Sequence, residues 1–263
     1  MQRDSVFGTF KVAAILCVVC SVVVSAAAVG LRPLQEANKK RFEQQNILAA
    51  AGFTADEVKE KGVDELFKNI ETQLIDLETG SLLAEDAGVD ADTYDQKTAA
   101  KDPELSVEIP ADKDIAGIKR REKYSRVYLF KEGDNVKSVI LPVYGKGLWS
   151  TLYGFIALES DLNTVAGLTF YEHKETPGLG GEVDNPKWKA IWPGKKLRVG
   201  DELKIEVIKG QVNADSPDAI HQVDGLSGAT ITSRGVSNLV KYWVNEGFGP
   251  YLQNLKASGG SNG

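Results

Sequence analysis

Apolar residues along this chain follow three successive patterns. The first is an unbroken run: over residues 12–31 no side chain is charged and most are apolar. A helix rising ~1.5 Å per residue carries such a run ~30 Å, the thickness of a bilayer's hydrocarbon core. The pattern predicts one N-terminal transmembrane helix over 12–31. The small residues Ser25, Ala26, Ala27 and Ala28 also suit a leader-cleavage site, so removal of the segment stays open, although the run is longer than a usual leader core. Bases flank both ends, Arg3 and Lys11 before it and Arg32, Lys39, Lys40 and Arg41 after it, so charge alone does not orient the span.

The second pattern is helical. Residues 34–51 are mostly polar, with Phe42, Ile47 and Leu48 as the apolar positions, and Gly52 supplies a stop. Thr54 and Glu57 stand three apart, the form of a capping box opening a short helix. Residues 64–69 read as a further helical turn. The third pattern is that of strands, with residues 73–77 alternating. Residues 73–77, 126–130, 136–143, 149–158 and 165–172 read as strands, with 132–135 as the turn of a β-hairpin. Residues 197–199 and 203–208 read as short strands around a turn at Gly200 and Asp201. Residues 85–112 are acidic, alanine-rich and poor in large apolar side chains, which predicts an exposed excursion. A last helix, capped by Thr232 or Ser233, is expected to run to about Glu246 and to bury Val236, Leu239, Val240 and Trp243. Antiparallel-looking strand runs with helices segregated before and after them predict an α+β fold, antiparallel sheets flanked by helices. The expected divisions are an N-terminus over 1–11, the span over 12–31, a helical and extended part over 32–120, the main α+β domain over 121–256 and a flexible tail over 257–263.

Composition narrows the chemistry. Apolar residues at 42% and charged residues at 26% are the balance of a folded chain, and a net charge of −6 gives no electrostatic reason to bind nucleic acid. Cys17 and Cys20 both lie in the apolar run, so the rest of the chain has neither a disulfide framework nor a thiolate metal site. Inside a membrane helix the pair reads as small packing residues. His173 and His221 cannot build a zinc site by themselves. Any chemistry must then use backbone, hydroxyl, carboxylate or a borrowed cofactor.

The densest chemistry lies in residues 224–236. Small residues surround Thr230, so a bulky group can approach its backbone closely. The hydroxyls of Ser227, Thr230, Thr232 and Ser233 gather at the start of the last helix, whose free N–H groups favour an anion, above all a phosphate. Two readings stand on local physics: a phosphate seat, and an ordinary Gly/Ser turn capped by Thr232. The segment Glu175, Thr176, Pro177, Gly178, Leu179, Gly180 is by itself a Pro-Gly turn. Ser227 between Gly225 and Ala229 partly resembles a nucleophile elbow, with His173 or His221 as base. The final alanine and the lack of a clear strand-to-helix turn speak against it.

The string Ser227-Gly228-Ala229-Thr230, with Asp224 ahead of it, resembles the flavinylation motif of the FMN-binding domain family. The segment from Glu175 to Gly180 resembles that family's Glu-Thr-Pro-Gly-Leu-Gly loop. Over nearly its full length the chain is similar to the C-subunit family of the sodium-translocating NADH:quinone oxidoreductases. The matching features are the span with Cys17 and Cys20, the stretch from Gly147 to Ser150, and both motifs.

The resemblance implies FMN bonded by a phosphoester to Thr230 and installed from FAD by a flavin transferase. It also implies that Ser227, Gly228, Ala229 and Thr232 surround the attachment, and that the loop of Glu175, Thr176, Gly178, Leu179 and Gly180 lies against the flavin ring. Trp149 is a candidate ring neighbour. In that family the domain faces the periplasm from a single inner-membrane span. It relays electrons among other membrane subunits of a translocase that oxidises NADH, reduces ubiquinone and pumps sodium. The covalent-FMN subunit of the Rnf-type ferredoxin:NAD oxidoreductases shares both motifs. The longer N-terminal half and the Cys17/Cys20 span favour the quinone reductase.

Overall fold

The computed structural model describes residues 6–84, 89–91, 93–133 and 135–259. The chain divides into two units, one up to Glu43 and one from Gln44 onward. The first unit is helical. Helix α1 (Val6–Ala50) is long and apolar enough to cross a membrane, and its apolar side chains, among them Val12, Ile15 and Val22, are exposed. The sequence pattern separates a span ending at residue 31 from a helix over 34–51. The structure joins them, with Pro33 inside one helix. Proline removes one backbone donor, but good helix formers on both sides and an Arg32–Glu36 ion pair of 2.9 Å across that turn keep the helix continuous.

The second unit opens with the buried end of α1, where Ile47, Leu48 and Ala50 are covered. The helix stops where expected. Gly52 takes φ +100°, and the N–H groups of Ala51, Gly52 and Phe53 bond back to the carbonyls of Ile47, Ala49 and Leu48. Thr54 and Glu57 form both bonds of the capping box at the head of α2 (Ala55–Lys61), which is followed by α3 (Val63–Phe67) and β1 (Ile70–Asp76).

The acidic stretch is more structured than its composition suggests. Asp95 caps α4 (Gln96–Ala99) by accepting from the N–H groups of Lys97 and Thr98. Strand β2 (Ser106–Glu108) pairs with β3 (Arg120–Glu122), and Ala99, Ser106 and Ile109 are buried. Residues 85–88 and 92 of that stretch lie outside the described residues.

Strands β4 (Tyr124–Glu132), β5 (Asn135–Lys146), β6 (Thr151–Glu159) and β7 (Val165–Glu172) join β1 in a five-stranded sheet of order β1-β4-β5-β6-β7, antiparallel throughout. Side chains alternate across it. Val127, Leu129, Val139, Leu141 and Val143 face one core, while Tyr128, Ile140 and Phe155 face another, capped by Ile47, Leu48, Val63 and Leu66. Both faces are therefore covered.

Past β7 the chain shortens its elements. A 3-10 turn (Gly180–Asp184) precedes α5 (Pro186–Lys189), β8 (Arg198–Val199) and β9 (Glu202–Leu203). The strand expected over 203–208 is split, because the N–H groups of Lys204 and Ile205 both turn back to the carbonyl of Leu197. Its remainder, β10 (Glu206–Val207), pairs in parallel with β11 (Gln222–Val223). Helix α6 (Thr230–Tyr242) then lays Val236, Leu239 and Val240 into the first core. A π-type turn (Trp243–Gly247) and α7 (Gly249–Gly259) follow. Residues 257–259 continue α7 where a tail is expected, and 260–263 lie outside the described residues.

Candidate functional site

One carboxylate organises this end of the domain. Glu175 follows β7 and is buried. Its Oε1 accepts from the N–H groups of Trp149 at 2.9 Å and Ser150 at 3.2 Å, and its Oε2 from the N–H of Leu148 at 3.3 Å. The Thr232 hydroxyl donates to Oε2 at 2.6 Å. Burial pushes the pKa of Glu175 up, but the Thr232 hydroxyl and the three backbone donors more than reverse that, and it sits below its ordinary value. The charged carboxylate thus pins the turn after β5, the loop after β7 and the first turn of α6 to one another. Two glycines leave room for it. A Cβ on Gly147 would stand 2.7 Å from Oε1 of Glu175, and one on Gly180 would stand 2.6 Å from the Thr232 hydroxyl.

The same packing joins the two motifs. Gly228 takes φ +71°, and a Cβ there would meet Cδ2 of Leu179 at 2.8 Å, so the loop after β7 rests on the turn before α6. In that loop the Thr176 carbonyl accepts from Leu179 and Gly181, and Gly178, with φ +76°, has open space around its Cα. Leu179 is half-exposed, Trp149 is 67% exposed, and Leu148 and Ile231 also turn apolar surface outward. Apolar groups thus ring the start of α6 without covering one another.

Helix α6 begins at Thr230, earlier than the sequence suggests. Its N-cap position is Ala229, and no side chain caps it. Thr232 and Ser233 lie inside the first turn, and their hydroxyls are committed elsewhere, Thr232 to Glu175 and Ser233 to the N–H of Leu226 at 3.0 Å. Of the four hydroxyls in the motif, those of Ser227 and Thr230 stay on the exposed surface, while Ala229 is buried beneath them. Thr232 therefore supports the turn through Glu175. The first-turn N–H groups are left without a side-chain acceptor, as an anion seat requires.

Ser227, Gly228 and Thr230 lie on the rim of a cleft of about 850 Å³ that also holds Trp188, Asn238 and the cations Lys187, Lys209, Arg234 and Lys241. Among the described residues no ion pair engages those four cations. Glu182, Glu206 and Asp224 are the acids of the cleft, and Asp224 accepts from the N–H of Val212. Arg234 stands one helical turn after Thr230, a relation the sequence already contains but which only the open cleft makes relevant. The histidines serve structure. His173 Nε2 lies 2.8 Å from Asp184, and buried His221 bonds the carbonyl of Lys196 at 2.7 Å, so neither stands beside Ser227 as a base. No group of three or more metal-ligating side chains occurs among the described residues.

The class of protein follows from the stretch that Glu175 ties together. The model of the family described as FMN-binding domain matches residues 147–245, from the turn at Gly147 through α6 and into the π-type turn. Known relatives match the whole chain. It is 51% identical to the Na(+)-translocating NADH-quinone reductase C subunit of Pseudomonas aeruginosa over 97% of this chain and 98% of that one. The same subunit of Vibrio vulnificus is 47% identical, over 98% of each chain. The chain belongs to the family of Na(+)-translocating NADH-quinone reductase C subunits. Among solved structures, that of NqrC from Shewanella oneidensis superposes with a TM-score of 0.73 at 38% identity, covering 84% of this chain and 99% of that one. The C subunit from Parabacteroides distasonis gives 0.62 at 30% identity, covering 84% and 96%.

Proposed function

We propose that this chain is the electron-carrying subunit of a sodium-pumping NADH:ubiquinone reductase, and that its FMN is esterified through phosphate to Oγ1 of Thr230. The observation that carries the attachment is an exposed threonine hydroxyl on the first residue of an uncapped helix, beside a cleft whose four cations make no ion pair among the described residues. A phosphodiester there keeps one negative charge, which the first-turn N–H groups and the positive end of the α6 dipole stabilise. Arg234 and Lys241 would face the phosphate and ribityl chain from the cleft, with Ser227 and the backbone of Gly228, Ala229 and Thr232 around the ester. Trp149 and Leu179 would cover the ring, and open space at Gly178 lets the Thr176–Gly180 backbone approach its edge. The bound flavin would supply the one- and two-electron chemistry. Thr230 is its tether, and Glu175 positions both loops beside the flavin.

Membership of the family supports a reading of the wider assembly as well. A flavin transferase installs the group, other membrane subunits donate and accept the electrons, and α1 crosses the inner membrane once over 12–31 with the domain from 121 to 256 in the periplasm. Intact-mass and peptide mapping of protein made with the transferase present should find FMN less water on the peptide spanning Ser227 to Ser233. Thr230→Val should fold and carry none. Covalent flavin retained in that variant would assign the ester elsewhere, and an unlabelled native peptide would leave a domain that binds its anion reversibly.

A further inference from the structure

A second buried carboxylate lies away from the site just described. Glu122, at the end of β3, is fully buried. Its Oε2 accepts from the phenol of Tyr144 at 2.5 Å and its Oε1 from Nε2 of Gln96 at 3.2 Å. That amide also reaches the Ser125 hydroxyl. Burial raises the pKa of Glu122 to about 7, and the Tyr144 hydrogen bond only partly offsets it. Burial likewise lifts the phenol of Tyr144 well above its ordinary range. Glu122 is closed off from solvent and Tyr144 is part-buried, and the hydrogen bond between them makes the carboxylate the nearest acceptor for a proton leaving the phenol.

Tyr144 is also the middle of a ring series. It stacks on Tyr153 at 5.5 Å and lies 4.8 Å from Trp243, whose indole N–H donates to the Tyr144 carbonyl. Tyr153 continues to Tyr171 at 6.4 Å, and Trp243 to Tyr242 at 5.4 Å. Tyr144 and Tyr153 are a cross-strand pair of β5 and β6, two positions from the Lys146–Thr151 pair that closes onto the Gly147–Ser150 turn bearing Trp149. At ~3.4 Å per strand residue those two positions are ~7 Å. The phenol and indole rings, which are oxidisable, thus form one series that comes within two strand positions of the Trp149 turn.

We propose that Tyr144 is a proton-coupled redox site, in which loss of an electron through this ring series is accompanied by transfer of the phenolic proton to Glu122. The oxidant is a photoexcited flavin, which takes one electron from the series. The O–H bond of Tyr144 breaks, its proton forms a bond to Oε2 of Glu122, and a neutral tyrosyl radical and a carboxylic acid remain. Return of the electron from the reduced flavin would reverse both transfers. The ring series would draw oxidising damage away from the Trp149 turn and discharge it reversibly. Only the identity of the oxidant rests on the flavin reading, and the test uses protein that carries none.

Full-length Thr230→Val protein is illuminated with tris(bipyridyl)ruthenium and a cobalt(III) electron acceptor, then frozen for electron paramagnetic resonance. A tyrosyl radical is expected, with most of its signal lost in the added variant Tyr144→Phe. Glu122→Gln, which keeps the shape and removes the proton acceptor, should slow radical formation and abolish its solvent deuterium isotope effect. An undiminished signal in Tyr144→Phe, or an unchanged rate and isotope effect in Glu122→Gln, would overturn the proposal. Should either variant fail to fold, the isotope effect in the Thr230→Val protein decides: its absence means that no proton moves with the electron. Flavin found on the Thr230→Val protein would instead count against the attachment residue and leave Tyr144 in place.

Discussion

Glu175 and Glu122 are both buried carboxylates of one domain, yet their surroundings push them in opposite directions. Burial raises the pKa of each. Glu175 gathers four donors, three of them backbone N–H groups of one turn, and ends below its ordinary value. Glu122 has two side-chain donors and is left at about 7. Glu122 is also the more deeply buried of the two, so depth and the number of donors together decide whether a buried carboxylate is a fixed anion or a group able to take a proton. Around the first the chain builds a clamp that holds three segments. Around the second it leaves a side chain that changes state near neutral pH.

The strongest way to break this contrast is to delete the clamp. Glu175→Ala leaves three backbone donors and the Thr232 hydroxyl without their acceptor, and should cost about 4 kcal/mol of stability. Urea denaturation of the domain checks it. The variant should also take up flavin poorly, because the Trp149 turn and the Leu179 loop lose their common anchor. Stability within ~1 kcal/mol of the parent would mean that water replaces the carboxylate and that Glu175 is no hub.

A smaller effect separates the two carboxylates by pH. The folded-state pKa of Glu122, about 7, exceeds its ordinary 4.5, so the folded protein binds more protons between those values. Its contribution is fully present below about pH 4.5 and is lost as pH rises through 7, on the order of 3 kcal/mol in all. Glu175 runs the other way: its contribution is present above 4.5 and is lost as pH falls through its lowered pKa. Glu122→Gln should therefore flatten the stability profile from about pH 4.5 to 7 and leave the acid limb untouched. Differential scanning calorimetry across that range measures it, and an unchanged slope would show that Glu122 does not titrate there.

Much of this molecule is legible in its residues alone. Runs rich in β-branched, aliphatic and aromatic residues place the strands of the central sheet, because both of its faces are buried. Gly52 and the Thr54–Glu57 box end one helix and open the next as local chemistry requires. Small residues and hydroxyls mark the Ser227–Thr230 turn. The start of α6 at Thr230 is not legible, since propensity cannot tell a hydroxyl that caps a helix from one drawn to a carboxylate 57 residues away. The role of Glu175 is hidden for the same reason: its donors come from a turn 25 to 27 residues earlier. The excursion at 85–112 looks exposed because composition averages over Asp95, Ser106 and Ile109, which pair or pack individually.

The finest test removes one hydroxyl from each centre. Thr232→Val deletes one donor of four and Tyr144→Phe one of two, with little change of shape in either case. A hydrogen bond to a charged group is worth ~1.5–3 kcal/mol, and shared among four donors the loss at Glu175 should lie at the lower end, about 1.5 kcal/mol. Because Glu175 is ionised throughout the neutral range, that loss should be the same near pH 5 and pH 8. Glu122 near pH 5 is a neutral acid that can still pair with a neighbour, so Tyr144→Phe should cost little there. At pH 8 the ion is formed and keeps only Gln96, and a cost of about 1 kcal/mol should emerge. Chemical denaturation of the two variants at both pH values gives four numbers. The contrast between clamp and proton acceptor survives only if the pH dependence appears in Tyr144→Phe and is missing from Thr232→Val.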